Sequence, residues 1–320
     1  MSVLAEKSKR VCLYDKNKIS QINSETLKLF QKYQIDMSIR DLSQNTIEQY
    51  NADLLQWFVF MYDKQFNLSV LEATEDDISE YYYWRKQQGN NVNRQKRIMS
   101  SISAFYKFLR KKKIIKESPV EFIDRPKSGQ PITVQTYLTK EQVQLMREKL
   151  KEYGDIQLQT YAFLSLTTMA RVNAIANLKW EQVDMDERIC SNVLEKEGKI
   201  VELSFSKETK EYLEKLKKYR EDNDINDYGW LFVTPYVSEN KPISNGTLNE
   251  WCKKIGNMIG VPTLHPHDYR HSYATLLKNE GVSLEDVSTM LNHAGTDVTK
   301  KFYIKVDSSK VRKLKDSIEI

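Results

Sequence analysis

Apolar residues recur at helical spacing through the first third of the chain. In residues 43–66, Ile47, Tyr50, Leu54, Leu55, Phe58 and Met61 form one stripe, and Ser43 stands where an N-cap belongs. Thr74 followed by Asp77 matches a capping box, which opens a second helix carrying Ile78, Tyr81, Tyr82 and Trp84 and running out near Gly89. A third helix over 92–112 places Ile98, Ile102, Phe105, Tyr106 and Leu109 on one face. The pattern predicts a helical bundle of roughly a hundred residues.

Two prolines and a Ser-Gly pair interrupt that pattern over 123–136 and predict an exposed linker. Beyond it, Thr139 and Gln142 cap a helix that reaches Tyr153 and Gly154, and a long apolar helix is expected over 156–169. Two β-prone runs, 189–194 and 199–205, flank Glu195, Lys196, Glu197 and Gly198, which have the composition of a hairpin turn. Helices are expected again at 207–219 and 245–258, with a strand at 230–233 between them. The chain is therefore predicted to be mainly α, with an N-terminal extension (1–19), a helical domain (20–125), a linker (126–135) and a mostly helical α/β domain holding a small antiparallel sheet (136–320).

Composition narrows the class. The 320 residues, 29% charged and 40% hydrophobic, suit two domains on a prior of about 150 residues each. No window approaches the ~18 uninterrupted apolar residues of a membrane span, and the opening MSVLAEKSKR lacks the apolar core of a secretory signal. No membrane partner and a cytoplasmic location are expected. Cys12, Cys190 and Cys252 lie far apart, odd in number and outside any C-x-x-C pair, so reduced thiols are expected.

Net charge is only +5, but residues 1–130 hold 22 basic and 16 acidic side chains while residues 131–320 hold 27 and 28. Within 81–116 there are eleven basic residues and no Asp or Glu. A solvated helix face is one account of such a run; the lack of any acid among 36 residues favours a polyanionic partner, nucleic acid above all.

All four histidines, His265, His267, His271 and His293, fall within 29 residues. Zinc is a poor fit, because His267 and His271 lack the Glu of an H-E-x-x-H helix and Cys252 is not in ligand spacing. A helix starting after Pro266 with one or two hydrogen-bonded core histidines accounts for His265 or His271 singly.

The string HPHDYRHSYATLLKNEGVSLEDVSTMLNHAGTDVTKKFY resembles the C-terminal signature of the tyrosine recombinase (phage integrase) family: His-x-x-Arg at a helix start, a later Leu-Gly-His, and a nucleophilic Tyr about ten residues on. Those positions are His267 and Arg270, then His293, then Tyr303, with Tyr269 next in line as nucleophile. TMARVNAIANLKW is similar to the family's first arginine box, which makes Arg171 the first catalytic arginine. The family's lysine lies in a β-hairpin about 25 residues later, where Lys196 stands, with Lys199 as fallback. The helical pattern of the first domain resembles the family's core-binding domain.

The resemblance implies a two-domain DNA clamp that needs no cofactor or metal, binds double-stranded DNA and assembles as a homo-oligomer, a tetramer in the synapse. Arg85, Lys86, Arg94, Lys96, Arg97, Lys107 and Lys111 are the expected DNA contacts. Three positions depart from the family pattern: Met169 replaces a Gly, Ala174 a Glu, and Asn292 the Gly before the third-motif histidine. A repressor or accessory protein that keeps this fold without catalysis is the alternative.

The chemistry is consistent with the residue types. Phosphodiester cleavage needs an in-line nucleophile, positive charge on the non-bridging oxygens and a proton for the leaving oxygen. Tyr303 supplies a phenolate that stores the bond energy as a phosphotyrosine. Arg171 and Arg270 fork onto phosphate oxygens. Lys196 protonates the 5′-hydroxyl, His267 is the general base, and His293 donates to a phosphate oxygen.

Overall fold

The computed structural model describes residues 13, 15–127, 137–195 and 198–292, and the chain divides into two compact units at 134/135. The first holds α1 (Lys16–Ile19), α2 (Ser24–Ile39), α3 (Gln44–Lys64), α4 (Glu75–Gln87) and α5 (Val92–Lys111). Ser43, Thr74 and Asn91 each accept a backbone N–H at a helix start, and Thr74 with Asp77 completes a capping box, so these starts are written in local side chains. Tyr33, Trp57, Phe58, Tyr81, Phe105 and Tyr106 fill the centre of this unit. The periodicity above did not single out α2, although Leu29, Phe30, Tyr33 and Met37 recur every three or four residues behind an Asn23 cap.

The second unit runs α6 (Lys140–Tyr153), α7 (Ile156–Thr168), α8 (Val172–Ala176), β1 (Val183–Asp184), β2 (Ile189–Leu194), β3 (Ile200–Ser204), α9 (Lys207–Asp222), α10 (Asn245–Met258), α11 (Pro266–Asn279) and α12 (Leu284–Met290). Helix α7 is apolar nearly all round, from Leu158 to Leu166, and is enclosed by α6, α9 and α11. The three strands form one antiparallel sheet in the order β1-β2-β3, with Leu194 opposite Ile200 at the hairpin end.

Residues 230–233 are not a strand. Trp230 bridges Lys179 singly, and the Arg220 guanidinium takes the backbone carbonyls of Trp230 and Leu231 at 2.9 and 2.7 Å. Arg220 is itself buried and paired with Asp227, so a side chain meets the carbonyls that a neighbouring strand would have met. No described helix is long and apolar enough to cross a membrane.

Candidate active site

Helix α7 stops because Met169 turns into the left-handed region at φ 52°, and the chain then re-enters helix at α8 with Arg171 as its N-cap. Glycine enters that region without strain, whereas a methionine is held there at about 1–3 kcal/mol. Asn292 has φ 51°, a conformation its short polar side chain tolerates better. Both departures from glycine thus fall where the backbone calls for it, and in both the chain keeps the turn.

Arg270 lies one turn after His267 on α11, so the two share a face. Its Nη1 donates to the Met169 carbonyl at 2.6 Å and its Nη2 to the Leu291 carbonyl. The buried guanidinium therefore ties together the end of α7, α11 and the end of α12, and brings Arg171 beside the His267 face. A lysine could not span two carbonyls in this fork.

The His267 ring stands edge-on to His265, 6.4 Å between centroids. It is open to solvent on one side, yet the protein around it lowers its proton affinity below the ordinary 6.5, through desolvation first and then the positive charges of His265, Arg270 and Arg171. A neutral imidazole able to accept a proton results. Asp268 accepts the His265 N–H at 2.9 Å and holds the start of α11.

Arg171 forms an ion pair with Glu195, the residue that follows β2. Sequence reasoning gave Glu195 no role beyond the turn; a glutamate there carries no local signal that distinguishes it. Ala174 is packed in the core, so the carboxylate beside Arg171 comes from the hairpin. From the far side of that hairpin Lys199 Nζ donates to the Asn292 carbonyl at 3.3 Å. Lys196, His293 and Tyr303 lie outside the described residues. Tyr269 is fully buried, and burial pushes its phenol well above the usual range, which unfits it as a nucleophile.

The basic run of the first unit does have acidic partners, and they come from outside it. Arg94 donates to Asp53 at 2.5 Å, Arg97 lies 3.6 Å from the same carboxylate, and Arg110 meets Glu121 at 3.0 Å. Arg85, expected at DNA, is instead 1% exposed, with Nε on Asn90 at 2.9 Å and its guanidinium over the Tyr81 ring. A buried cation in that setting is part of the core. Lys86, Lys107 and Lys111 are exposed and Lys96 is half-buried. At 100° per residue Lys107, Lys111 and Arg110 fall within about 60° of Lys96, while Arg97 and Arg94 lie about 100° and 160° away, so α5 carries a stripe of three lysines beside the two arginines that reach Asp53.

Arg171, its side chain still 32% exposed, and Arg270, held through both Nη atoms on backbone carbonyls, place positive charge beside an imidazole that can accept a proton. The phage integrase family model matches residues 136–310, and the model of the phage integrase N-terminal SAM-like domain matches residues 30–113. The chain belongs to the phage integrase family and is a tyrosine-type site-specific DNA recombinase. It is 28% identical to tyrosine recombinase XerC of Leptospira interrogans serogroup Icterohaemorrhagiae serovar copenhageni, over 92% of this chain and 93% of the relative. It is 23% identical to tyrosine recombinase XerD of Vibrio cholerae, over 86% and 90%. The fold matches XerH recombinase bound to a palindromic difH substrate (TM-score 0.70, 17% identity, 95% of this chain and 89% of that one). It also matches a lambda integrase dimer bound to a COC′ core site (TM-score 0.66, 17% identity, 91% and 81%).

Proposed function

We propose that the chain cuts and rejoins DNA through a 3′-phosphotyrosine at Tyr303, as a tetramer holding two sites, and that it integrates, excises or resolves a mobile element in the cytoplasm. Arg171 and Arg270 clamp the scissile phosphate, and His267 takes the Tyr303 proton. Lys196, with Lys199 as fallback, returns a proton to the 5′-oxygen, and His293 donates to a non-bridging oxygen. The first unit, through the α5 lysine stripe, grips the duplex backbone. The observation that carries this reading is the Arg270 hydrogen bond to the Met169 carbonyl, which brings Arg171, 99 positions earlier in sequence, to the α11 face that holds His267. The XerH and lambda integrase structures are bound to a palindromic difH substrate and to a COC′ core site, which supports duplex DNA as the ligand.

The test uses a nicked duplex bearing the site that the wild-type protein selects from a randomised duplex pool. Loss of the short strand beyond the nick traps the covalent adduct. Wild type should form the adduct, and Tyr303→Phe should bind the same duplex and form none, because only the nucleophilic hydroxyl is lost. An adduct in Tyr303→Phe moves the nucleophile elsewhere; no adduct in wild type leaves an inactive DNA-binding protein on this fold.

A further inference from the structure

Glu195 has no part in the chemistry above, yet it is the carboxylate that meets Arg171. Its side chain is 1% exposed, and its Oε2 accepts from Arg171 Nη1. Its backbone N–H donates to the Lys199 carbonyl at 2.8 Å, so closure of the hairpin sets where the carboxylate stands. The Arg171 side chain, by contrast, is 32% exposed. The carboxylate holds one edge of the guanidinium from the protein side, and other N–H groups of the fork remain to meet a phosphate.

Stability is a poor account of this pair. A buried ion pair gains little over apolar packing, and Glu195 Oε1 has no hydrogen-bond partner among the described residues, which raises the cost of burying it. A role in setting a reacting group accounts for a carboxylate kept there.

We propose that Glu195 is a positioning residue for Arg171: it fixes the guanidinium against the β2–β3 hairpin so that its remaining N–H groups face the scissile phosphate. The inference rests on the recombinase reading of Arg171. Glu195 itself touches neither DNA nor the reacting atoms, and its whole effect on rate passes through that arginine.

Single-turnover adduct formation on the nicked duplex, followed over hours and paired with duplex affinity and thermal melting, tests this. Glu195→Ala should slow the adduct about 10–100-fold, the scale on which loss of an orienting partner acts, with affinity and melting near wild type. Glu195→Gln keeps the acceptor oxygen and should recover most of the rate. In an Arg171→Ala background, removal of Glu195 should change nothing further, the signature of two groups acting as one. Should Glu195→Ala fail to fold, Glu195→Asp replaces it, since it keeps the charge and withdraws the oxygen from Arg171. A full additional loss in the Arg171→Ala background overturns the proposal. A rate raised above wild type also overturns it, by making the carboxylate a competitor of the phosphate. Failure of wild type to form any adduct overturns the recombinase reading and this proposal with it, whereas an active wild type with additive losses overturns this proposal alone.

Discussion

Each unit of the molecule buries a carboxylate against arginine, and the two are completed differently. Asp53, on α3, is 1% exposed and uses both oxygens: Oδ1 takes Arg94 at 2.5 Å, and Oδ2 takes the Ser101 hydroxyl at 2.8 Å, with Arg97 Nε 3.6 Å away. All three partners stand on α5, so the network crosslinks two helices of the bundle. Glu195 holds Arg171 with one oxygen and leaves the other without a partner among the described residues. A buried charge with both oxygens answered serves the fold; one answered on a single oxygen, next to a partly exposed guanidinium, belongs to a site.

The comparison breaks most visibly at Asp53. Asp53→Ala strands Arg94 and Arg97 at the α3–α5 junction and should destabilise the first unit by about 2–3 kcal/mol. That is below the roughly 3–5 kcal/mol of a fully enclosed pair, because both arginines can turn toward water. Urea unfolding measures it. A variant as stable as wild type would remove Asp53 from the fold's support and leave its arginines as ordinary DNA contacts.

A smaller effect separates the two faces of α5. Replacing Lys96, Lys107 and Lys111 by Gln should flatten the log–log salt dependence of duplex binding by up to about three, if each contacts one phosphate. Arg94→Gln should leave the slope unchanged and lower stability instead, since its charge is engaged by Asp53. The slopes are read from binding isotherms at several salt concentrations. An equal change in slope for Arg94→Gln would return the arginine face to the DNA.

Most of the helices were legible because their determinants are local. Ser43, Thr74, Thr139 and Ser244 stand at starts that a few neighbouring residues define, and the apolar spacing behind them is regular. The hairpin at 189–205 was legible for the same reason. What escaped depends on partners far along the chain. The expected strand at 230–233 fails because Arg220 answers its carbonyls, and the unpaired appearance of 81–116 fails because Asp53 and Glu121 lie outside that window. Within the site, the spacing of His267 and Arg270 was plain, whereas the Arg171–Glu195 pair joins residues 24 apart, from the start of α8 to the end of β2. No local pattern marks such an acid.

The smallest predicted effect asks whether Glu195 lies within the charge field of the site. His267 is held below 6.5 by desolvation and by the positive charges of His265, Arg270 and Arg171. In DNA-free protein its neutral, base-competent form should therefore persist to lower pH than an ordinary imidazole allows, and it is lost as pH falls through the folded-state value. The stability sign follows: as pH drops below 6.5 the unfolded chain takes up a proton that the folded chain refuses, so this histidine's contribution to stability declines until the lower, folded-state value is passed. Glu195→Gln removes the negative charge that partly offsets Arg171, which leaves His267 in a more positive field and should move its titration further down. The His267 ring proton shift followed by NMR across acidic pH measures this directly, without DNA and without turnover. A titration that stays in place would put Glu195 outside the charge field of His267 and confine its action to the placement of Arg171.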